Sequence, residues 1–205
     1  MCPLSSRIAA REYSQGREPL DLSHIIPLSP ARATETPLPM DGFIHQRHKP
    51  STPLDRPREL IVACAPLRSN VNLSRIVRLA SCCGVPKLIC CGTAKVIGKI
   101  ARDGADAIEI EVHRTLPPVL KELKRQNYTL VGLEQTTGST DIHNFTFERR
   151  TALVVGNERT GLTDDVLGLL DHVVEIPVYG LPYSYNVATA TTMALYEFCR
   201  QYPRG

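Results

Sequence analysis

Three short stretches of this sequence hold more chemistry than a turn needs. VVGNERTGLT, residues 154–163, ends an apolar run and then sets Asn157, Glu158 and Arg159 side by side before Gly161. An ordinary strand-to-helix turn requires a cap and a glycine, not an amide, a carboxylate and a guanidinium together. PLRSNVNLSRIVR, residues 66–78, spaces Asn72, Arg75 and Arg78 by three, on one side of a helix. IPVYGLPYSYN, residues 176–186, passes Gly180 and Pro182 and reaches Ser184 and Asn186 at a helix start. Main-chain amides and carbonyls in such a loop can wrap a flat ligand such as adenine. Each stretch alone has a plain alternative: Asn72, Ser184 and Asn186 as helix caps, and the arginines as solvated charge.

The elements around these stretches read as an α/β fold. LIVACAP, KLICCG, AIEIEV, YTLVGLEQ, TALVVG and HVVEIPV are short apolar strands. Between them, NLSRIVRLASCCG reads as a helix with Leu73, Ile76, Val77, Ala80 and Cys83 on one face, ended by Gly84 and Pro86. A short helix is expected around Ala94–Arg102, another over LPPVLKELKRQ, one capped by Thr163, and a last one over NVATATTMALYEFCRQ. Strands alternating with helices imply a mainly parallel six-stranded sheet with helices on both faces. Ligands in such sheets bind at the carboxyl ends of strands, where the three stretches lie. There is no GxGxxG after the first strand and no GxxxxGK[ST], so dinucleotide and P-loop sites lose their main support.

Residues 1–45 are proline-rich, polar and without period, and are expected to form a flexible tail. Residues 46–59 look like an extended basic lead-in, in which Arg47, Lys49, Arg56 and Arg58 either touch a polyanion or decorate a solvated linker. Residues 60–205 form the remaining domain. A net charge of +3 is too mild to announce nucleic-acid binding, so any polyanion site must be local. Trp is absent and aromatics make up 5%, which disfavours a stacking platform. The seven cysteines are odd in number, lack CxxC spacing, and read as buried free thiols of a reducing, cytoplasmic protein rather than disulfides or a metal site. His45 and His48 lack a second ligand pair, so no metal is expected. Neither a membrane span nor a signal-peptide apolar region is read.

Together the three stretches resemble the motifs of the SpoU-type (TrmH-like) RNA ribose 2′-O-methyltransferases of the SPOUT superfamily. The first motif, Asn followed six residues later by Arg, is here Asn72 and Arg78 in NLSRIVRLASCCGV. The second, Gly-Asn-Glu-x-x-Gly-Leu, is Gly156–Leu162; the third, Ile-Pro-x-x-Gly-x-x-x-Ser-x-Asn-Val, is Ile176–Val187. Order and spacing match through residues 60–201, about seven tenths of the chain. Tyr185 stands where the family usually has Leu; that position is expected to meet the ligand through its backbone, leaving binding intact.

The resemblance implies a C-terminal deep trefoil knot, against the usual rule, a homodimer packed through helices near the knot, and S-adenosylmethionine as methyl donor without a metal. Val187, Ala190, Ala194 and Phe198 offer a suitable dimer face, though a core face would look the same. Site residues carry over one by one. Arg78, Asn72, Glu158, Ser184 and Asn186 are the catalytic candidates. Leu133, Gly156, Asn157, Ile176, Pro177, Leu181, Ser184 and Tyr185 are the donor-site candidates. Arg75, Arg78, Arg68 and Arg159 are the RNA candidates. A guanidinium is a poor free base, so Arg78 either loses a proton transiently beside a substrate phosphate or stays cationic and stabilises the developing alkoxide. Glu158 either pairs with Arg78 or holds a backbone amide. The implied reaction is methylation of a ribose 2′-hydroxyl in tRNA or rRNA. A base-methylating relative and a silent RNA-binding module are the alternatives, disfavoured by the Asn72/Arg78 pair and by retention of Arg78, Glu158, Ser184 and Asn186.

Overall fold

A computed structural model describes residues 43, 45, 46 and 49–205. Nearly all of the expected tail, with Arg47 and Cys2, lies outside the described residues. From Pro50 onward the chain forms one compact unit.

Seven strands form one parallel sheet: β1 Leu60–Cys64, β2 Lys87–Cys91, β3 Glu109–His113, β4 Thr129–Leu133, β5 Thr140–Asp141, β6 Thr151–Val155 and β7 His172–Glu175. Their order is β3-β2-β1-β6-β4-β7-β5, with every pairing parallel. The six strands read from the sequence are all present. β5, the seventh, is two polar residues paired to Val174 and Glu175, too short and too polar to give an apolar signal.

β1 and β6 are buried along their whole length, as expected of parallel strands covered on both faces. Alternate side chains serve opposite layers. Leu60, Val62, Leu153 and Val155 join α1 (Asn70–Cys82) and α5 (Val187–Gln201) in one core; Ile61, Ala63, Ala152 and Val154 join α3 (Leu116–Arg125) and α4 (Asp164–Leu167) in the other.

Local signals explain most helix ends, with three differences. Ser69, not Asn72, caps α1: its hydroxyl accepts from the Asn72 N–H at 3.2 Å. Thr163 stands at the cap of α4, but its hydroxyl donates to Asp165 instead of accepting from the backbone. The helix expected over Ala94–Arg102 is one turn, α2 (Gly98–Ala101), followed by a tight 3-10 turn at Arg102–Ala105. Asn186 does cap α5, accepting from the Ala188 N–H at 3.0 Å, and α1 does stop before Gly84, which takes φ +68°.

The lead-in is corrected at Arg58. This side chain is 6% exposed, donates to the carbonyls of Cys83 (2.8 Å) and Tyr202 (2.6 Å), and lies over the Phe198 ring. It ties the entering chain to the ends of α1 and α5, so it is neither a polyanion contact nor a solvated charge. Of the two readings left open for the α5 face, subunit contact or core, the core reading holds for its buried residues. Ala194 and Phe198 are buried in the core, and Val187 and Ala190 border a cleft of the same chain.

Candidate active site

The polar residues of the GNERTG turn fold back on themselves. Asn157 and Gly161 exchange backbone hydrogen bonds at 3.0 and 2.9 Å, closing the loop. The Asn157 side chain braces it, accepting from the Arg159 N–H at 2.9 Å and donating to the Pro66 carbonyl at 2.6 Å. Gly161 takes φ +65°, which favours glycine, and its α-carbon faces the Glu134 carboxylate. A Cβ on Gly156 would lie 2.6 Å from the Gly161 carbonyl carbon and 2.8 Å from the Leu162 nitrogen. Glycine at 156 is therefore required by the turn itself.

Glu158 reaches out of this turn to the start of α1. Its carboxylate accepts from the Arg68 N–H (2.8 Å), the Ser69 N–H (3.0 Å) and the Asn72 amide (3.0 Å). Burial pushes the Glu158 carboxyl up, but the Arg68 N–H, the Asn72 amide and the Ser69 N–H outweigh it and hold it below the usual carboxylate range. The open alternative is thus decided: Glu158 holds backbone amides and Asn72, and no ion pair joins it to Arg78 among the described residues. The Asn72 oxygen in turn accepts from the Asn186 amide at 3.3 Å. One residue from each of the three motifs therefore stands in one chain, Glu158–Asn72–Asn186.

The two ends of this chain line different concave sites, Glu158 one and Asn186 the other. At the Glu158 end, a cavity of about 230 Å³ lies beyond the carboxyl ends of β4, β6 and β7. Six of the donor-site candidates, Leu133, Gly156, Asn157, Ile176, Ser184 and Tyr185, line it. Pro177 and Leu181 do not, and Leu181 is 76% exposed. Glu134, Gln135, Glu175, Val187 and Ala190 also line the cavity and were missed. Glu134 and Glu175 adjoin the predicted Leu133 and Ile176 at strand ends, a signal that could have found them. Both carboxylates have protein partners: Glu134 accepts from the Leu162 N–H at 2.9 Å, and Glu175 from the Ser139 hydroxyl at 2.7 Å.

At the Asn186 end, a groove between α1, α2 and α5 is lined by Arg75, Arg78, Lys99, Arg102 and Asn186, over an apolar floor including Leu79, Ile100 and Met193. Of the RNA candidates, Arg75 and Arg78 meet there. Arg68 and Arg159 do not: Arg159 borders the cavity, and Arg68 contributes its backbone N–H to Glu158.

Residues 59–196 match the SpoU rRNA Methylase family. The chain belongs to that family. Its curated relatives include the tRNA (guanosine(18)-2′-O)-methyltransferase of Escherichia coli K12, 28% identical over 149 residues that cover 71% of this chain and 65% of that protein. The chain thus spans just under two thirds of that SpoU relative. The crystal structure of the Aquifex aeolicus TrmH/SpoU tRNA modifying enzyme superposes with TM-score 0.69 at 29% identity, covering 73% of this chain and 78% of that one. The SpoU methyltransferase AviRb of Streptomyces viridochromogenes, solved in complex with AdoMet, gives TM-score 0.62 at 27% identity over 74% and 64% of the two chains.

Proposed function

We propose that this chain transfers a methyl group from S-adenosylmethionine to a ribose 2′-hydroxyl in structured RNA, tRNA or rRNA. One observation carries the reading: the Glu158–Asn72–Asn186 chain links a small cavity, lined by Glu158, to a cationic groove lined by Asn186 and Arg78. A donor in the cavity and a polyanionic acceptor in the groove would meet across this link.

The cavity fits the donor. No backbone–backbone hydrogen bond involves residues 176–185, so, apart from the Pro177 carbonyl that accepts from the Tyr185 hydroxyl at 3.4 Å, their main-chain groups can hold an adenine edge. Ile176, Leu133 and Val155 supply apolar walls, and Glu134 and Glu175 suit a ligand with cationic groups. S-adenosylmethionine supplies a methyl group already activated on a sulfonium, so the protein's task is alignment and charge. Glu158 stays ionised and fixes the motif-one turn against the motif-two turn. Asn72 and Asn186 set the distance between cavity and groove. Arg78, without a carboxylate partner among the described residues, remains cationic and stabilises the alkoxide that develops as the hydroxyl loses its proton. Phosphate or water takes that proton.

The trefoil knot and the homodimer belong to the same proposal. The insertion of β6 between β1 and β4 supports the knot, bringing the 156–163 turn beside the 176–186 loop. The exposed Tyr196 on α5, outside the groove lining, replaces the buried face as the candidate subunit contact. No helix among the described residues is long and apolar enough to cross a membrane, and we place the protein in the cytoplasm on the strength of its RNA substrate. The test incubates protein, labelled donor and total tRNA or rRNA, then digests to nucleosides. A 2′-O-methylnucleoside supports the reading. Label on a base, or none, refutes it.

A further inference from the structure

We infer that residues 98–105 form the second wall of the RNA groove, and that Lys99 and Arg102 grip a phosphate flanking the methylated nucleotide. This rests on the proposed reaction and names two contacts outside its motifs. Arg75, Arg78, Lys99 and Arg102 line one groove, and none of them has a carboxylate partner among the described residues. Other cations without a carboxylate partner, such as Lys95, Arg114 and Lys121, line no concavity with further cations, whereas these four share one. Unpaired like charges gathered in a concavity repel one another, and a polyanion relieves that repulsion. The apolar floor of Leu79, Ile100 and Met193 suits the faces of a sugar and base between phosphates.

The wall is built onto the helix that bears Arg78. Ser74 Oγ accepts from the Ile97 N–H at 2.8 Å, and Asn70 Oδ1 from the Lys95 N–H at 3.2 Å. Gly104 lies so close to α1 that a Cβ there would stand 3.1 Å from the Arg78 α-carbon. The separation of Arg102 from Arg78 is therefore fixed by the backbone. Arg102 itself holds φ +52° and ψ −146°, a conformation that glycine takes far more readily. A strained backbone position that bears an arginine, with its side chain exposed in the groove, points to a role for the guanidinium. A second copy of the chain is the weaker occupant, since a two-fold contact through this groove would turn its cations toward their own copies.

The experiment measures binding of unmodified tRNA to the full chain as a function of salt, with methyl transfer and sedimentation alongside. Arg102→Gly removes the guanidinium while easing the backbone, so its thermal midpoint should not fall. It and Lys99→Ala should each lower the salt slope by about 0.7–0.9, which at 0.1 M salt weakens RNA roughly five- to eightfold. Donor affinity should be unchanged. Lys121→Ala, on α3 across the sheet, should leave RNA binding as it was. Unchanged affinity and slope in both groove variants, with wild type methylating ribose normally, would overturn this assignment alone. Altered sedimentation of Arg102→Gly would assign the groove to a subunit contact and likewise overturn it. A wild type that neither binds nor methylates any RNA would overturn the proposed reaction and this inference with it.

Discussion

Removing the Glu158 carboxylate is the sharpest perturbation of the site's frame. Three hydrogen bonds converge on it, two from backbone N–H groups at the start of α1 and one from Asn72. Hydrogen bonds to a charged acceptor contribute about 1.5–3 kcal/mol each when shielded, and the partly solvated position lowers that, so Glu158→Ala should cost about 3 kcal/mol. For a folded unit of this size that is a fall in melting temperature of about 6–12 °C. Glu158→Gln is subtler. If the amide oxygen replaces Oε1, it keeps Ser69 and Asn72, but the NH₂ then opposes the Arg68 N–H, and about 1–2 kcal/mol is lost. The two variants also differ from wild type in pH dependence. Because the folded carboxyl sits below its ordinary value, its stabilisation is fully present above the unfolded value of about 4.3 and is lost as pH falls through the folded one. The melting difference between wild type and Glu158→Gln should therefore be constant near neutrality and shrink in acid. Thermal unfolding across pH, with donor titration by calorimetry, reads all of this. An Ala variant that melts within a degree or two of wild type and retains methyl transfer would refute the role given to Glu158.

Further outcomes follow from the same geometry. Gly156→Val, which the motif alone would assign simply to blocking the donor, should also strain the 156–162 turn, so lost donor binding should come with a lower melting temperature. Arg78→Ala should reduce methyl transfer by about 10² to 10³ or more with donor affinity nearly unchanged, and Arg78→Lys should recover part of the rate if charge suffices but match Ala if the planar fork is needed. Arg58→Ala should destabilise by about 2–3 kcal/mol, from two lost hydrogen bonds to half-buried carbonyls and lost packing of the buried side chain, without changing the salt dependence of RNA binding. Deleting residues 1–45 should leave melting and donor affinity intact, since the compact unit begins at Pro50.

Much of the architecture was legible because apolar strands and helices keep their periods. Leu60–Cys64 and Thr151–Val155 read as buried strands and are buried throughout. The site was legible as three motifs, and six of the eight donor-site candidates line the cavity. What sequence does not encode locally is partnership. Nothing in HKPSTPLDRPRE distinguishes Arg58, which finds two carbonyls, from the exposed Arg56. Nothing in VATATTMALYEF separates a core face from a subunit face, because both want small and apolar residues. Lys99 and Arg102 were invisible because the segment bearing them is a single turn without a period, placed by contacts with α1 far away in sequence. Glu158 had two open partners for the same reason, and the fold chose the amides.

The most direct measurement is mass spectrometry of nucleosides from RNA methylated by wild type and by Arg78→Ala under saturating donor. A 2′-O-methylated ribose should accumulate with wild type and fall at least a hundredfold with the variant, on the scale of losing a transition-state stabiliser. Equal accumulation in both, or a methyl group on a base, would contradict the mechanism drawn from this site.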